Sequence, residues 1–149
     1  MKQIFIFFIL LIPCCTKAQT AEDSVKMVID RLFTAMKNSD DSLLFTCFAD
    51  SAILQTISKD KKGNIIVKQE NLKDFGISIS MAPKGSLDER IRYDVVKTDG
   101  PLATAWTPYS FYYQEKFSHC GVNSFQLIKT SNGWKIQYLI DTRRRAGCE

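Results

Sequence analysis

From Ala21 to Lys37 the apolar residues Val25, Val28, Ile29, Leu32, Phe33 and Met36 recur at steps of three and four, the spacing that places side chains on one stripe of an amphipathic helix. Asn38-Ser39-Asp40 breaks the pattern. Asp40 or Asp41 then caps a second, short helix whose buried side is Leu43, Leu44, Cys47 and Phe48. Two β-rich runs, Ala52–Ser58 and Asn64–Gln69, flank the polar stretch Lys59-Asp60-Lys61-Lys62-Gly63 and predict an antiparallel hairpin with a longer loop. Helical spacing returns over Glu70–Ser80 with Leu72, Phe75 and Ile79, and Met81-Ala82-Pro83-Lys84-Gly85 ends it. Four β-like runs follow: Leu87–Lys97, Leu102–Gln114, Phe117–Thr130 and Gly133–Arg143. They are separated by Asp99-Gly100, Glu115-Lys116 and Asn132-Gly133, of which the first and last predict type I′ hairpin turns. The chain therefore reads as α+β, with three helices in its first half packed on one largely antiparallel sheet.

The first 18 residues stand apart. Lys2, the apolar run Ile4–Ile12 and the small residues Thr16 and Ala18 around Lys17 form a secretory signal, so residues 1–18 are expected to be removed and residues 19–149 to form a single domain. Nine apolar residues closed by Pro13 fall short of the roughly 20 that span a bilayer, which argues against a stable membrane span. Cys14 and Cys15 leave lipoprotein anchoring as the lesser alternative, because Pro13 stands before Cys14 where a small residue is wanted. The expected location is thus periplasmic or secreted, where disulfides form. Cleavage leaves Cys47, Cys120 and Cys148, an odd number that permits one bridge in any of three pairings.

Composition narrows the function. The chain is 45% hydrophobic and 24% charged, enough to bury a core and too ordered in makeup for a disordered tail. Its net charge of +4 falls to +2 without the leader, which carries Lys2 and Lys17 and no acid; a nucleic-acid partner is not expected. His119 is the only histidine and no cysteines stand at CxxC spacing, so neither a metal nor a cofactor is expected.

The order of elements, with Val28-Ile29-x-x-Phe33 in the opening helix, Asp50-Ser51-Ala52 at the step into the first strand, Gly100-x-x-Ala103 entering a long strand, and Phe125-x-Leu127 before Asn132-Gly133-Trp134-Lys135-Ile136, resembles the NTF2-like superfamily, which includes SnoaL-like and lumazine-binding-like proteins. The resemblance covers essentially all of residues 19–149. It implies a cone: a strongly bent mixed or antiparallel sheet wrapped around the first helix, a pocket at the wide mouth, and frequent homodimers through the outer sheet face. It implies little about activity, because the superfamily holds isomerases, dehydratases, hydrolases and non-catalytic domains. Many relatives carry histidines near the end of the final strand, where this chain has Tyr138 and Ile140.

Strand parity selects candidates for the pocket, since residues two apart share a face. His119, Gly121 and Asn123 share one with Phe125 and Leu127, so His119 and Asn123 are expected on the concave side as a polar pair in an apolar cup. In the last strand Trp134, Ile136, Tyr138 and Ile140 form the apolar face, which adds Tyr138 to the lining and turns Leu139, Asp141 and Arg143 away from it. Tyr109 is expected to line the pocket from the aromatic-rich strand around Pro108, whose other aromatics read mostly as core. Ser118 and Cys120 flank His119 but should point to the opposite face, against a nucleophile dyad. Asp141 is a further candidate base, and Arg143 or Arg144 a fork for an anion, although a terminal charge run is more often solvated.

Three functions follow as expectations. The first is an exported domain that binds a small apolar or aromatic molecule through Tyr109, His119, Asn123 and Tyr138. The second is an isomerase, dehydratase or hydrolase with His119 as acid or base and Asp141 as an outside candidate. The third is a dimeric scaffold with a filled cone.

Overall fold

The computed structural model describes residues 19–148; the expected leader, with Cys14 and Cys15, lies outside the described residues. Helix α1 (Ala21–Asn38) opens at Thr20, whose side chain accepts from the Asp23 amide while Asp23 reaches back to the Thr20 amide. This reciprocal pair satisfies two of the donors that a helix start leaves orphaned. The helix buries Val25, Val28, Ile29, Leu32, Ala35 and Met36 and stops at Ser39, which takes a left-handed conformation at φ 57°. Helix α2 (Asp41–Cys47) is capped by Asp40 and α3 (Leu72–Ser80) by Asn71, two residues later than the helical spacing alone suggests. An asparagine side chain that accepts from the Lys73 and Asp74 amides fixes that start.

Strands β1 (Phe48–Lys59) and β2 (Ile65–Glu70) form the expected hairpin, its loop held by Asp60, which accepts from the amides of Lys62 and Asn64. The predicted run Leu87–Lys97 divides into β3 (Leu87–Ile91) and β4 (Val95–Asp99), both paired with β5 (Leu102–Tyr113). Pro108 sits opposite the break: its carbonyl accepts from the Arg92 amide, so the donor that proline lacks falls where the neighbouring strand is interrupted. Strands β6 (Lys116–Thr130) and β7 (Gly133–Arg144) complete a seven-stranded sheet of order β2-β1-β7-β6-β5-β3, with β4 beside β5. Only β1 and β7 run parallel, so the sheet is mixed.

The turns differ from their dipeptide signals. Asp99 pairs with Leu102, which makes Gly100-Pro101 the central pair; Gly100 has φ 54° and proline cannot follow it there, the pattern of a type II′ rather than a type I′ turn. Two successive residues of positive φ occur at Gln114 (48°) and Glu115 (65°), between the paired residues Tyr113 and Lys116. The I′ geometry therefore falls on a dipeptide with no glycine.

The core is one cluster in which α1 lies in the concavity of the sheet. Phe125, Leu127 and Ile136 are fully buried beneath it, and Phe33 meets Phe125 edge-on at 6.3 Å. Tyr93 ties the helix to the β3–β4 connection by donating to Asp30 at 2.7 Å. On β5 the inward face carries Ala103, Ala105, Thr107 and Tyr109, whereas Trp106 is 47% exposed on the convex side. Of the aromatics expected as core, Trp106 and Tyr113 are thus surface residues. Of the three cysteine pairings, Cys120–Cys148 is the bridged one, and Cys47 is buried as a free thiol between α2 and the sheet. Among the described residues no helix is long and apolar enough to cross a membrane.

Candidate functional site

The cone contains a cavity of about 70 Å³. Its apolar wall comes from the helices and the sheet floor: Leu32, Phe33 and Met36 of α1, Phe75 of α3, Leu54 of β1 and Leu139 of β7. Its polar wall is built by six strands, with Thr56 on β1, Glu70 on β2, Glu89 on β3, Tyr109 on β5, His119 and Asn123 on β6, and Asp141 and Arg143 on β7. Thr56, Glu70 and Arg143 also line an adjoining cleft of about 450 Å³ that runs past Lys68 and Asn71. The inner cavity by itself is smaller than an ordinary small-molecule site, roughly 300 to 1,000 Å³, and the adjoining cleft is the part that falls within that range.

Asp141 organises one side. Its Oδ1 accepts from the Thr56 hydroxyl at 2.5 Å, and its Oδ2 accepts from Arg143 Nε at 2.8 Å and from the Tyr109 hydroxyl at 3.1 Å. Arg143 also donates to Thr56 Oγ1 at 3.2 Å, and Tyr109 to the Thr142 carbonyl at 2.9 Å. Asp141 thus fixes Thr56, Arg143 and Tyr109 relative to one another, the single Tyr109 hydroxyl proton being shared between Asp141 and the Thr142 carbonyl. Burial first, then the negative charges of Asp141 and Glu89, push the Tyr109 hydroxyl well up, so it remains a protonated donor.

Glu89 organises the other. Asn123 Nδ2 donates to its Oε1 at 2.8 Å, and no described residue donates to Oε2. Burial pushes the Glu89 carboxyl up to about 7 against the opposing Asn123 hydrogen bond; Asp141 raises it a little further and Arg143 pulls it back. A carboxyl with that value exchanges its proton near neutral pH. His119 moves the other way. Burial and then the Arg143 charge lower it, partly offset by Asp141, so the ring is neutral at pH 7. It packs between Tyr109 and Phe111, at 5.7 and 5.0 Å between ring centres.

The structure brings Tyr109, His119, Asn123 and Asp141 together around the cavity and leaves Tyr138 outside it. Tyr138 instead pairs with Gln126 and donates to Gln55 Oε1 at 2.7 Å. The reason is a bulge: Leu127 pairs with Ile136 and Gln126 with Tyr138, so Gln137 has no partner on β6. One extra residue turns the rest of the strand over. Trp134 and Ile136 face inward before it; Leu139, Asp141 and Arg143 face inward after it, the reverse of the expected alternation. A second bulge, at Ser118, brings that hydroxyl within 3.1 Å of His119 Nδ1 despite their adjacency. Ser118 does not line the cavity, so this contact orients the ring rather than presenting a nucleophile inside it.

Glu89 was not singled out by the sequence reading, although Leu87-x-Glu89-x-Ile91 places a glutamate on the apolar face of a strand, which is the signal that would have found it. Gly121, between His119 and Asn123, is required by close approach. A Cβ there would stand 2.8 Å from the Tyr109 ring and overlap the Thr142 carbonyl that accepts the Tyr109 hydroxyl. Among the described residues no three His, Cys, Asp or Glu side chains cluster to hold a metal ion.

No protein-family model matches the chain, and no curated protein matches it in sequence. Solved structures match it in shape. An NTF2-like protein of unknown function from Shewanella baltica superposes with a TM-score of 0.65 at 13% identity, over 83% of this chain and 93% of its own. A cystatin-like-fold domain of unknown function from Nostoc punctiforme gives 0.65 at 16% identity, over 87% and 82%. A Streptomyces avermitilis protein, provisionally assigned as a dehydratase of the NTF2-like family, gives 0.62 at 13% identity, over 84% and 96%. The chain has the NTF2-like fold, three helices on a curled mixed sheet.

Proposed function

We propose that the protein binds a small molecule in its cone, one with an apolar body and a polar head, and holds that head against Glu89 and Asn123. The observation that carries this reading is the division of the cavity wall, with Leu32, Phe33, Met36 and Leu139 on one side and a carboxyl that titrates near neutrality on the other. It refines a purely apolar or aromatic ligand into an amphipathic one. A scaffold with a cone filled by side chains fits less well, because the cone is hollow. The test is native mass spectrometry of the gently purified protein before and after denaturation, followed by calorimetry with any compound released. Binding should be saturable and abolished in Leu139→Trp, which fills the cavity. An undiminished affinity in that variant would refute the site.

A second reading, proton transfer, is favoured by the pairing of Glu89 with two neutral donors, His119 and Tyr109, in one cavity. Glu89 rather than His119 or Asp141 would then move the proton. Solvent deuterium would enter the bound compound with the native protein and not with Glu89→Gln, as read by proton NMR.

The expected leader and the Cys120–Cys148 bridge together support a domain working outside the cytoplasm. The exposed Val95, Leu102 and Trp106 on the convex face support a homodimer through the sheet.

A further inference from the structure

Three carboxyls, Glu70, Glu89 and Asp141, line the inner cavity against one guanidinium, Arg143. That guanidinium is already committed. Its Nε donates to Asp141 at 2.8 Å and a terminal nitrogen donates to Thr56 Oγ1 at 3.2 Å, and the side chain is half-exposed where the cavity meets the outer cleft. Among the described residues Glu89 forms no ion pair, and its one hydrogen-bond donor, Asn123, is neutral.

The Glu89–Asn123 pair has acceptors to spare and no spare donor that a carboxylate would accept. Asn123 is only 4% exposed, yet its Nδ2 alone is engaged, so Oδ1 has no donor among the described residues, and Glu89 Oε2 is open in the same way. An enclosed carboxylate is costly unless an opposite charge accompanies it. Without one, burial keeps the Glu89 proton on to about pH 7. A ligand that brings a positive charge removes that cost.

We propose that the cone selects small amines with an apolar body, taken up as ammonium ions paired with the Glu89 carboxylate. This rests on the cone being a small-molecule site and adds the charge of the head group. A carboxylate or phosphate head would meet Glu70, Glu89 and Asp141 while Arg143 is already paired. A hydroxyl offers one proton and no charge, whereas an ammonium offers three donors and the charge that Glu89 lacks. Binding is then an exchange: the ammonium enters, the carboxyl proton leaves to water, and affinity follows the ionised fraction of Glu89. The groups facing Glu89 are His119 and Asn123 on β6, Asp141 and Arg143 on β7, Tyr109 on β5 and Glu70 on β2; α1 and α3 bring only apolar residues to the cavity. Burial holds His119 below its ordinary value and Tyr109 well above its own, which leaves Glu89 as the group centred near neutrality.

NMR titration with butylamine, 1-butanol and butyrate at pH 6 and pH 8, at constant ionic strength, tests this. An alkylammonium resembles a lysine side chain and keeps its charge at both pH values. At pH 8 butylamine should saturate the shifts of the Asn123 side-chain amide at least tenfold more tightly than butanol or butyrate. At pH 6 it should bind about tenfold more weakly, the ratio of ionised Glu89 for a group titrating at about 7. Glu89→Gln should abolish the pH difference and weaken butylamine at least tenfold at pH 8, where that variant is the more stable protein, so unfolding does not account for the loss. The same variant separates Glu89 from Glu70, which burial also raises. Butanol or butyrate binding as tightly as butylamine, an affinity independent of pH, or full butylamine affinity in Glu89→Gln overturns the amine class and leaves the cone a small-molecule site. Saturation by none of the three overturns the amine class as well, while the broader reading stands or falls on the compound released from the gently purified protein.

Discussion

Replacing Glu89 by glutamine should stabilise the protein, and only above a defined pH. The Asn123 hydrogen bond survives the change because the glutamine oxygen still accepts. What disappears is the cost of an enclosed charge. The free carboxyl of an unfolded chain titrates near 4.5 and the folded one near 7. Below 4.5 both states are protonated and there is no penalty. Between 4.5 and 7 the unfolded state gives up its proton first, so native stability falls as pH rises, and above 7 the loss is complete. At 1.36 kcal/mol per pH unit the full gap corresponds to about 3 kcal/mol, and solvent reaching the partly accessible side chain reduces this to about 2 kcal/mol. The groups facing Glu89 are Asn123 and His119 on β6, Asp141 and Arg143 on β7, Tyr109 on β5 and Glu70 on β2. All are shared by both proteins, so the difference curve isolates Glu89. Urea unfolding at pH 4, 6 and 8 should give coincident midpoints at pH 4 and a Glu89→Gln midpoint roughly 1 M higher at pH 8, at typical slopes of 1 to 3 kcal/mol per molar. A pH-independent offset, or a less stable variant at pH 8, would refute the argument.

Two further perturbations test the backbone around the site. Gly121→Ala should destabilise by about 2 to 3 kcal/mol, because the added methyl displaces either β7 or the Tyr109 ring; denaturant midpoints and the Tyr109 ring resonances read it, and an unshifted ring would contradict the close approach. Changing Gln114-Glu115 to Asn-Gly should raise stability by about 1 to 2 kcal/mol, since both positions hold positive φ at the cost that side chains with a Cβ incur; an unchanged or lower melting temperature would contradict it.

Sequence alone determined the elements whose information is local. The α1 stripe at three- and four-residue steps, the Asp40 cap and the β6 alternation from His119 to Leu127 all depend on residues within a turn or two of one another, and the structure has them in those places. The order of these elements was enough to recognise the cone. The cavity wall was legible on β6, where the alternation runs unbroken inward from His119 through Asn123 to Leu127. On β7 it was not. The bulge at Gln137 arises from pairing with β6 and from the irregular parallel contact with β1, neither of which the β7 sequence encodes by itself. That one residue moves Asp141 and Arg143 in and Tyr138 out. Glu89 illustrates the same division: its parity on β3 is local, but its proton affinity is raised chiefly by burial that the packed sheet supplies, with Asn123 and Arg143 opposing and Asp141 adding from two other strands. Faces follow from alternation until a partner strand inserts a residue, and charge states follow from distances that only tertiary packing sets.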